Sequence, residues 1–339
     1  MDDTQTFDIA VVGATGAVGE VIISLLEERN FPSSRLYPLA SDRSVGNKVL
    51  FCGKYLSVGD TASFDFSQVQ IVLLAAGAEV AAQYAPLAVE AGCVVIDSSA
   101  CFRADDDVPL VVPEVNASAV GYFSDRRIIA SPNAVTIPML VALKPIIDAV
   151  GIKRINVATY QAVSGGGQAA VRALAGQTVS LLNMRAVETA PPDKQIAFNV
   201  LAQIGGVLDN GYTCEEMEMV WESQKVLDDD TIVINPTAVR VPVFFGNSLA
   251  LHIETKRKIT AKQAHERLKQ AAGVEMLDEA EYPSAVGEAS GDDAVFVGRV
   301  REDISHPQGL DMWVVADNVR KGAALNSVQI AEILVKDYL

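Results

Sequence analysis

One junction near the start of the chain constrains the fold more than any other stretch. The apolar run FDIAVVG (residues 7–13) leads into GATGAVG (residues 13–19) and then into AVGEVIISLLEER, which has helical periodicity. Glycines at this spacing let the backbone turn tightly and approach a pyrophosphate, whose charge is stabilised by the free N–H groups of the helix. The glycine spacing alone also fits a plain structural turn. Its place between a strand and a helix predicts a dinucleotide-binding unit.

The next part of the chain continues the alternation of short strands and helices, and the later part has longer strands. The short apolar runs VQIVLLAAG and GCVVIDSS flank the helical stretch EVAAQYAPLAVEAG, which is typical of a parallel sheet covered by helices on both faces. From about Lys153 the strands lengthen, and several alternate apolar with polar residues, as in a sheet with helices on one face. We therefore predict an α/β chain with a Rossmann-type dinucleotide-binding domain. The second domain is predicted to be α+β with a mixed sheet.

Composition excludes several classes of function. A net charge of −16 over 339 residues argues against nucleic-acid binding, which needs a concentrated basic footprint. We expect no membrane association, because no apolar run approaches the roughly 18 residues of a membrane span. Four cysteines without a CxxC pair and three histidines argue against a zinc site or a disulfide framework, so no metal is expected. The acidic N-terminus is unlike a signal peptide, and we expect a cytoplasmic protein.

The end of the second predicted strand bears on the choice of cofactor. At this position an acidic residue binds the ribose hydroxyls of NAD, whereas an arginine accommodates the 2′-phosphate of NADP. The sequence reads Ser41-Asp42-Arg43-Ser44. Arg43 between two hydroxyl residues favours NADP, while Asp42 leaves NAD open.

Motifs along the whole chain point to one family. They are VVGATGAVGE, LASDRSVG, FRADDDVPLVVPEVN, SPNAVTIP, TYQAVSGGGQ, AVRVPVFFGNS and DNVRKGAA. In this order and spacing they resemble the aspartate-semialdehyde dehydrogenase family from end to end. The resemblance implies a dinucleotide-binding domain formed by residues 1–133 and 319–339. It also implies a substrate-binding and dimerisation domain formed by residues 134–318, and hence a homodimer.

At two positions that are catalytic in the family, this chain has a different residue. In the family, a cysteine thiolate at a helix start attacks the aldehyde, a hydride leaves to NADP, and phosphate cleaves the thioester. This chain has Ala134 at that position, after Asn133, and a methyl group cannot act as a nucleophile. The family's general acid/base histidine is replaced by Asn247, whose amide does not titrate near neutral pH. We therefore expect the family's covalent reaction to be lost.

Substrate contacts are retained in part. Arg103 matches a phosphate contact of the family, but Glu218 stands where a phosphate-binding lysine is expected and would repel an anion. Gln161 matches the glutamine that orients the reacting groups. Arg240 matches the arginine that pairs with the substrate carboxylate, and Glu215 matches the contact to its amine. A small carboxylate or amino-acid-like molecule is thus the expected ligand.

The resemblance also implies a set of cofactor contacts, carried here by Gly13, Thr15, Gly16, Ala17, Val18, Ser41, Arg43, Ser44, Gly77, Ser164, Gly165 and Asn318. Two functions are compatible with these residues. One is a binding, sensing or regulatory protein. The other is an oxidoreductase that acts on a CH=O or CH–OH group with NADP and forms no thioester. Cys101, two residues before Arg103, is a further candidate for a displaced nucleophile, although no histidine is evidently placed to activate it.

Overall fold

The computed structural model describes residues 5–187, 189, 194–278 and 280–339, and it divides into two compact units. The first comprises Met1–Asn133 with Ala323–Leu339, and the second comprises Ala134–Gly322. Residues 319–322, predicted with the first domain, belong to the second unit. The side chain of Asp317 accepts hydrogen bonds from the N–H groups of residues 319 and 320, and its carbonyl accepts one from Gly322. No helix in these described ranges is long and apolar enough to cross a membrane.

The first unit is built on a six-stranded parallel sheet and a short hairpin. Its strands are β1 (Phe7–Val12), β2 (Ser33–Ala40), β3 (Lys48–Phe51), β4 (Lys54–Ser57), β5 (Gly59–Asp60), β6 (Ile71–Leu74), β7 (Val94–Asp97) and β8 (Ile128–Ala130). The sheet has the order β5-β2-β1-β6-β7-β8, and β3 and β4 pair separately as an antiparallel hairpin. Strands β6 and β7 are buried along their whole length, as the predicted apolar runs require.

The helices of the first unit follow the strands in sequence. They are α1 (Ala17–Glu28), α2 (Ala78–Glu90) and the short α3 (Pro113–Asn116). Helix α1 buries Ile22, Leu25 and Leu26 against the sheet, so its apolar spacing corresponds to one packed face. The carboxyl end of β1 and the start of α1 are therefore held in fixed positions by the same core.

The second unit has a mixed sheet with longer strands. Its elements are α4 (Thr136–Val150), β9 (Ile152–Gln161), α5 (Gly167–Leu182), α6 (Cys214–Leu227), β10 (Val233–Arg240), β11 (Asn247–Thr255), α7 (Ala261–Leu268), β12 (Val274–Met276), β13 (Val295–Glu302) and β14 (Gly309–Ala316). The strand order is β10-β9-β11-β14-β13-β12, with parallel pairs at both edges and antiparallel pairs between them. The fold class predicted from the sequence is thereby confirmed for both units.

The last helix, α8 (Leu325–Asp337), returns to the first unit. Its apolar face joins the core of that unit, and Arg29 forms a bidentate pair with Glu332 on its outer face. Asn326, which is fully buried, donates to the carbonyl of Val111 at 2.9 Å and to the hydroxyl of Ser131 at 2.8 Å. These contacts fix the end of the chain against the segment that leads into Asn133.

Candidate functional site

The glycine turn after β1 has the geometry that a pyrophosphate requires. Gly13 has φ +85°, and a Cβ at this position would lie 2.4 Å from the carbonyl oxygen of Ala75. A Cβ at Gly19 would lie 2.2 Å from the carbonyl oxygen of Gly13. Gly16 caps α1 without a side chain, so no side chain covers the first N–H groups of the helix. The turn therefore leaves its backbone donors accessible to an anion, and the residues present fit a dinucleotide.

A cavity of about 410 Å³ adjoins this turn in the first unit. Four predicted cofactor residues line it, namely Gly13, Thr15, Gly16 and Ser41. The remaining lining residues were not identified from the sequence and are Val12, Ala40, Asp60, Thr61, Ala75, Ala76, Val80, Gln83 and Tyr84. Several lie just beyond the carboxyl ends of parallel strands, which is where open α/β sheets bind ligands. That rule could have identified them, had the two-residue strand β5 been recognised.

The predicted cofactor-selecting segment lies beside the turn. The hydroxyl of Thr15 is 3.3 Å from that of Ser44, and the Asp42 carboxylate accepts a hydrogen bond from the N–H of Arg43. Arg43 itself is exposed. Gly77 is the N-cap of α2, again without a side-chain cap, and Ala17 and Val18 begin α1. Three other predicted cofactor residues, Ser164, Gly165 and Asn318, belong to the second unit.

Ala134 lies two residues before the first residue of α4, at the start of the second unit. A Cβ at Gly322 would lie 2.9 Å from both the Cβ and the carbonyl oxygen of Ala134. The methyl group is thus packed against a backbone that only glycine permits. Thr136, the first residue of α4, is fully buried.

Asn247, at the start of β11, is 3% exposed and is engaged in a structural contact. Its Oδ1 accepts a hydrogen bond from the N–H of Ala162 at 2.9 Å, just past the end of β9. The neighbouring Gln161 is also buried, and its amide donates to the Thr159 hydroxyl at 3.2 Å. The amide of Asn247 therefore fixes the peptide that follows Gln161.

Arg240, at the end of β10, contacts the next peptide group, between Ala162 and Val163. Its Nη1 donates to the carbonyl of Ala162 at 2.6 Å, and it packs so closely on Gly165 that a Cβ there would lie 2.9 Å from Nη1. Burial lowers the pKa of the guanidinium, and the nearby Glu215 carboxylate opposes that shift. The structure thus brings Gln161, Asn247, Arg240 and Glu215 together around one backbone turn.

Three of the four glutamates of helix α6 lie in its first turns, and their surroundings differ. Glu216 is buried and closes a capping box with Thr213, while its Oε1 accepts a hydrogen bond from the N–H of Ala238 at 2.9 Å. Glu215 and Glu218, one turn apart, are half-buried. Glu216 therefore anchors the helix start to β10, and this anchor positions Glu215 near Arg240.

A second backbone clamp involves the remaining predicted contacts of this unit. Asn318 accepts a hydrogen bond from the N–H of Gly246 at 2.9 Å, and its Nδ2 donates to the Ser164 hydroxyl at 2.9 Å. Gly246 has φ +88° and precedes Asn247 directly. Ser164 and Asn318 are thus adjacent, and they hold the loop that leads into β11.

Arg103 and Asn133 belong to the first unit. The guanidinium of Arg103 donates to the carbonyls of Ser131 at 2.9 Å and Ser98 at 3.0 Å, which orients it through the backbone. For Cys101, burial and the nearby Asp97 and Asp105 carboxylates raise the pKa of the thiol. A raised pKa disfavours the thiolate, so the electrostatic environment opposes the displaced-nucleophile hypothesis.

Other titratable clusters do not converge on these groups. His252 lies on β11, where its Nδ1 is 3.0 Å from the Asp311 carboxylate. Across the residues that the structure describes, no group of three or more His, Cys, Asp or Glu side chains could hold a metal ion. All four cysteines are described and are free thiols.

Comparison with known proteins identifies the family. Residues 8–122 match the profile of the semialdehyde dehydrogenase NAD binding domain, and residues 143–321 match that of the semialdehyde dehydrogenase dimerisation domain. The chain belongs to the aspartate-semialdehyde dehydrogenase family. It is 57% identical over 336 residues to the aspartate-semialdehyde dehydrogenase of Shewanella sp. (strain DB6705), an alignment that covers 99% of each chain.

A sequence and a crystal structure from Vibrio cholerae agree with this assignment to the aspartate-semialdehyde dehydrogenase family. The chain is 56% identical to aspartate-semialdehyde dehydrogenase 2 of Vibrio cholerae, again over 99% of both sequences. The crystal structure of aspartate semialdehyde dehydrogenase II from the same organism, complexed with ASA, superposes with a TM-score of 0.97 over 99% of this chain and 100% of that one. The first unit is therefore the family's dinucleotide-binding domain, and the second contains its dimerisation domain.

Proposed function

We propose that this protein binds a nicotinamide dinucleotide and a small carboxylate or amino-acid-like ligand without catalysing the family's phosphorylating oxidation of aspartate semialdehyde. The observation that supports this proposal most strongly is the alanine at residue 134. The family resemblance places a cysteine thiolate there, whereas Ala134 offers a methyl group packed beside Gly322. A thioester cannot form without a nucleophile, so a sensing or regulatory role agrees with the chemistry better than the family reaction does.

Asn247 supports the same conclusion at the acid/base position. Its amide neither gains nor loses a proton near neutral pH, and its Oδ1 already accepts the N–H of Ala162. Loss of a nucleophile that acts as a unit with its base costs on the order of a million-fold in turnover, judging from catalytic-triad deletions in a protease. A loss of that size would leave no useful rate of acyl transfer.

For the dinucleotide, we propose NADP in preference to NAD. The pyrophosphate would lie against the Gly13–Gly19 turn and the start of α1, where donors are uncapped. The exposed Arg43, next to Ser44, would hold the 2′-phosphate of NADP. When bound, the nicotinamide supplies hydride transfer. The residues of this chain hold and orient the cofactor.

For the second ligand, Arg240 and Glu215 supply opposite charges within one unit. A guanidinium binds a carboxylate in a bidentate manner, and a nearby carboxylate binds an ammonium group. This pair would hold an amino acid such as aspartate, in line with the relative from Vibrio cholerae that was crystallised with ASA. We also propose a homodimer, supported by the match of residues 143–321 to the family's dimerisation domain.

The test is a turnover assay with aspartate semialdehyde and NADP, with and without phosphate. We compare the unmodified protein with Ala134→Cys, Ala134→Ser and the double variant Ala134→Cys, Asn247→His. We expect no phosphate-dependent NADPH formation by the unmodified protein or by the serine control, and a measurable rate only once the thiol is restored. Phosphate-dependent turnover by the unmodified protein would refute the proposal.

Binding is measured separately from turnover. Titration of intrinsic fluorescence with NADPH, and calorimetry with L-aspartate, should show saturable binding to the unmodified protein. Absence of both signals would contradict the binding role. Reduction or oxidation of a carbonyl or hydroxyl compound at a rate independent of phosphate would instead identify an oxidoreductase that forms no thioester.

A further inference from the structure

Basic residues are concentrated in one segment of this acidic chain. Acidic residues outnumber basic ones by 43 to 27 overall, yet residues 256–269 contain Glu266 as their single acid beside His265 and six Lys or Arg side chains. The six are Lys256, Arg257, Lys258, Lys262, Arg267 and Lys269. The segment forms the loop after β11, helix α7 and the residue that caps this helix. It therefore gives the second unit a positively charged surface, which attracts anions from solution.

A cavity of about 470 Å³ adjoins this basic segment, and we call it the β13 cavity. Helix α7 contributes His265 to its lining, and the end of β13 contributes residues 299–301 and Glu302. The carboxylate of Glu302 is already engaged, because it lies 3.6 Å from the ammonium group of Lys258 and accepts a hydrogen bond from the N–H of Ala261 at 3.4 Å. The two arginines at positions 299 and 301 therefore dominate the charge of the lining.

The backbone of β13 is irregular at the point where these arginines leave it. The pairing of β13 with β14 shifts its register between Gly298 and Arg301, and Arg299 has φ +54°. A left-handed conformation at a residue with a long side chain costs about 1–3 kcal/mol. Side chains alternate between the two faces of a regular strand, whereas here three successive residues, 299–301, line one cavity. The bulge thus redirects side chains toward the β13 cavity, as bulges next to binding sites do.

Both guanidinium groups can bind a ligand. Arg299 is exposed and forms no ion pair with the residues that the structure describes. Arg301 lies 3.5 Å from the Asp311 carboxylate with its side chain 52% exposed, and such an exposed pair contributes at most about 1 kcal/mol. A guanidinium binds a phosphate group through two parallel hydrogen bonds, whereas an ammonium group acts as a point charge. Two arginines at one cavity therefore fit a ligand with two phosphate groups.

We infer that the β13 cavity binds a small molecule that carries two phosphate groups, held by Arg299 and Arg301. Its volume of about 470 Å³ lies within the range of about 300–1,000 Å³ that is usual for small-molecule pockets. The site differs from the candidate ligand site, because Arg240 lies on β10 at one edge of the sheet, whereas β13 adjoins the opposite edge strand. It also differs from the dinucleotide turn at Gly13, which belongs to the first unit. The inference is therefore independent of the proposed binding of an amino acid.

Calorimetric titration with inorganic pyrophosphate tests the site. We compare the unmodified protein with Arg299→Gln and with the matched control Arg267→Gln, which removes the same charge from an exposed side chain of α7 outside the cavity lining. We expect saturable binding that is about tenfold or more weaker in Arg299→Gln and changed less than about twofold in the control. Equal weakening in the two variants would show general attraction to the basic segment and would overturn the inference, as would an unmodified protein that does not bind. If Arg299→Gln fails to fold, His265→Gln is measured, with weaker binding again expected.

Tryptophan fluorescence locates the bound pyrophosphate. The chain has two tryptophans, so Trp221→Phe leaves Trp313, which lines an adjoining cavity together with Arg299 and Arg301. In this variant pyrophosphate should change the emission of Trp313 with the midpoint found by calorimetry, and adding Gly13→Ala should leave that midpoint unchanged. Binding that is abolished by Gly13→Ala but kept in Arg299→Gln would place pyrophosphate at the dinucleotide turn and refute the inference.

Discussion

Replacing Asn247 by leucine isolates the structural contact of this residue. The change keeps the number and branching of the side-chain heavy atoms but removes the acceptor for the N–H of Ala162, a residue that is fully buried. A buried donor left without its partner costs about 1–3 kcal/mol. In a unit of this size each kcal/mol shifts the melting temperature by about 2–4 °C. We therefore expect the unfolding transition of the second unit to fall by about 2–12 °C.

The assay is thermal unfolding followed by circular dichroism, with two comparisons. Asn47→Leu, at an exposed asparagine of the first unit, should change stability by less than about 0.5 kcal/mol. Asn247→His can keep an acceptor nitrogen for the Ala162 N–H and should lose less stability than Asn247→Leu. If Asn247→Leu and Asn47→Leu unfold at the same temperature, the amide of Asn247 does not stabilise the peptide between Gln161 and Ala162.

Three other substitutions each test the structural role of one residue. Gly13→Ala forces a Cβ to 2.4 Å from the Ala75 carbonyl oxygen at φ +85°, so titration with NADPH should show at least a tenfold loss of affinity. Glu216→Ala leaves the N–H groups of Thr213 and Ala238 without their acceptor, and the urea midpoint should fall by the equivalent of about 2–6 kcal/mol. Burial raises the pKa of Cys93 from 9.0 to about 11. Because the unfolded thiol ionises first, the stability of the unmodified protein relative to Cys93→Ala should be constant below about pH 8 and fall between about pH 9 and 11.

Local patterns predicted much of the fold. The order of strand, glycine turn and helix at Gly13 located the dinucleotide turn, and the helical stretch EVAAQYAPLAVEAG covers all but the first residue of α2 (Ala78–Glu90). Strand β5 and the hairpin of β3 and β4 were not predicted. They are two to four residues long, and segments this short carry too few residues to show a period.

The residues of the candidate site were selected by resemblance, and their present roles depend on the fold. The family resemblance assigned Asn247 to the position of the acid/base histidine. In the structure its amide oxygen accepts the N–H of Ala162, 85 residues away in the chain. Glu216 was not predicted to have a role, although its carboxylate accepts the N–H of Ala238 and so fixes α6 to β10.

The sequence alone determined that residue 134 supplies no nucleophile, because the methyl group of alanine lacks a nucleophilic atom in any fold. The sequence likewise determined the glycine turn that follows the first strand. Only the tertiary structure decided that Asn247 and Arg240 bind the N–H and the carbonyl of the same residue, Ala162. Strand pairing and packing join segments far apart in the chain, and no local pattern encodes those contacts.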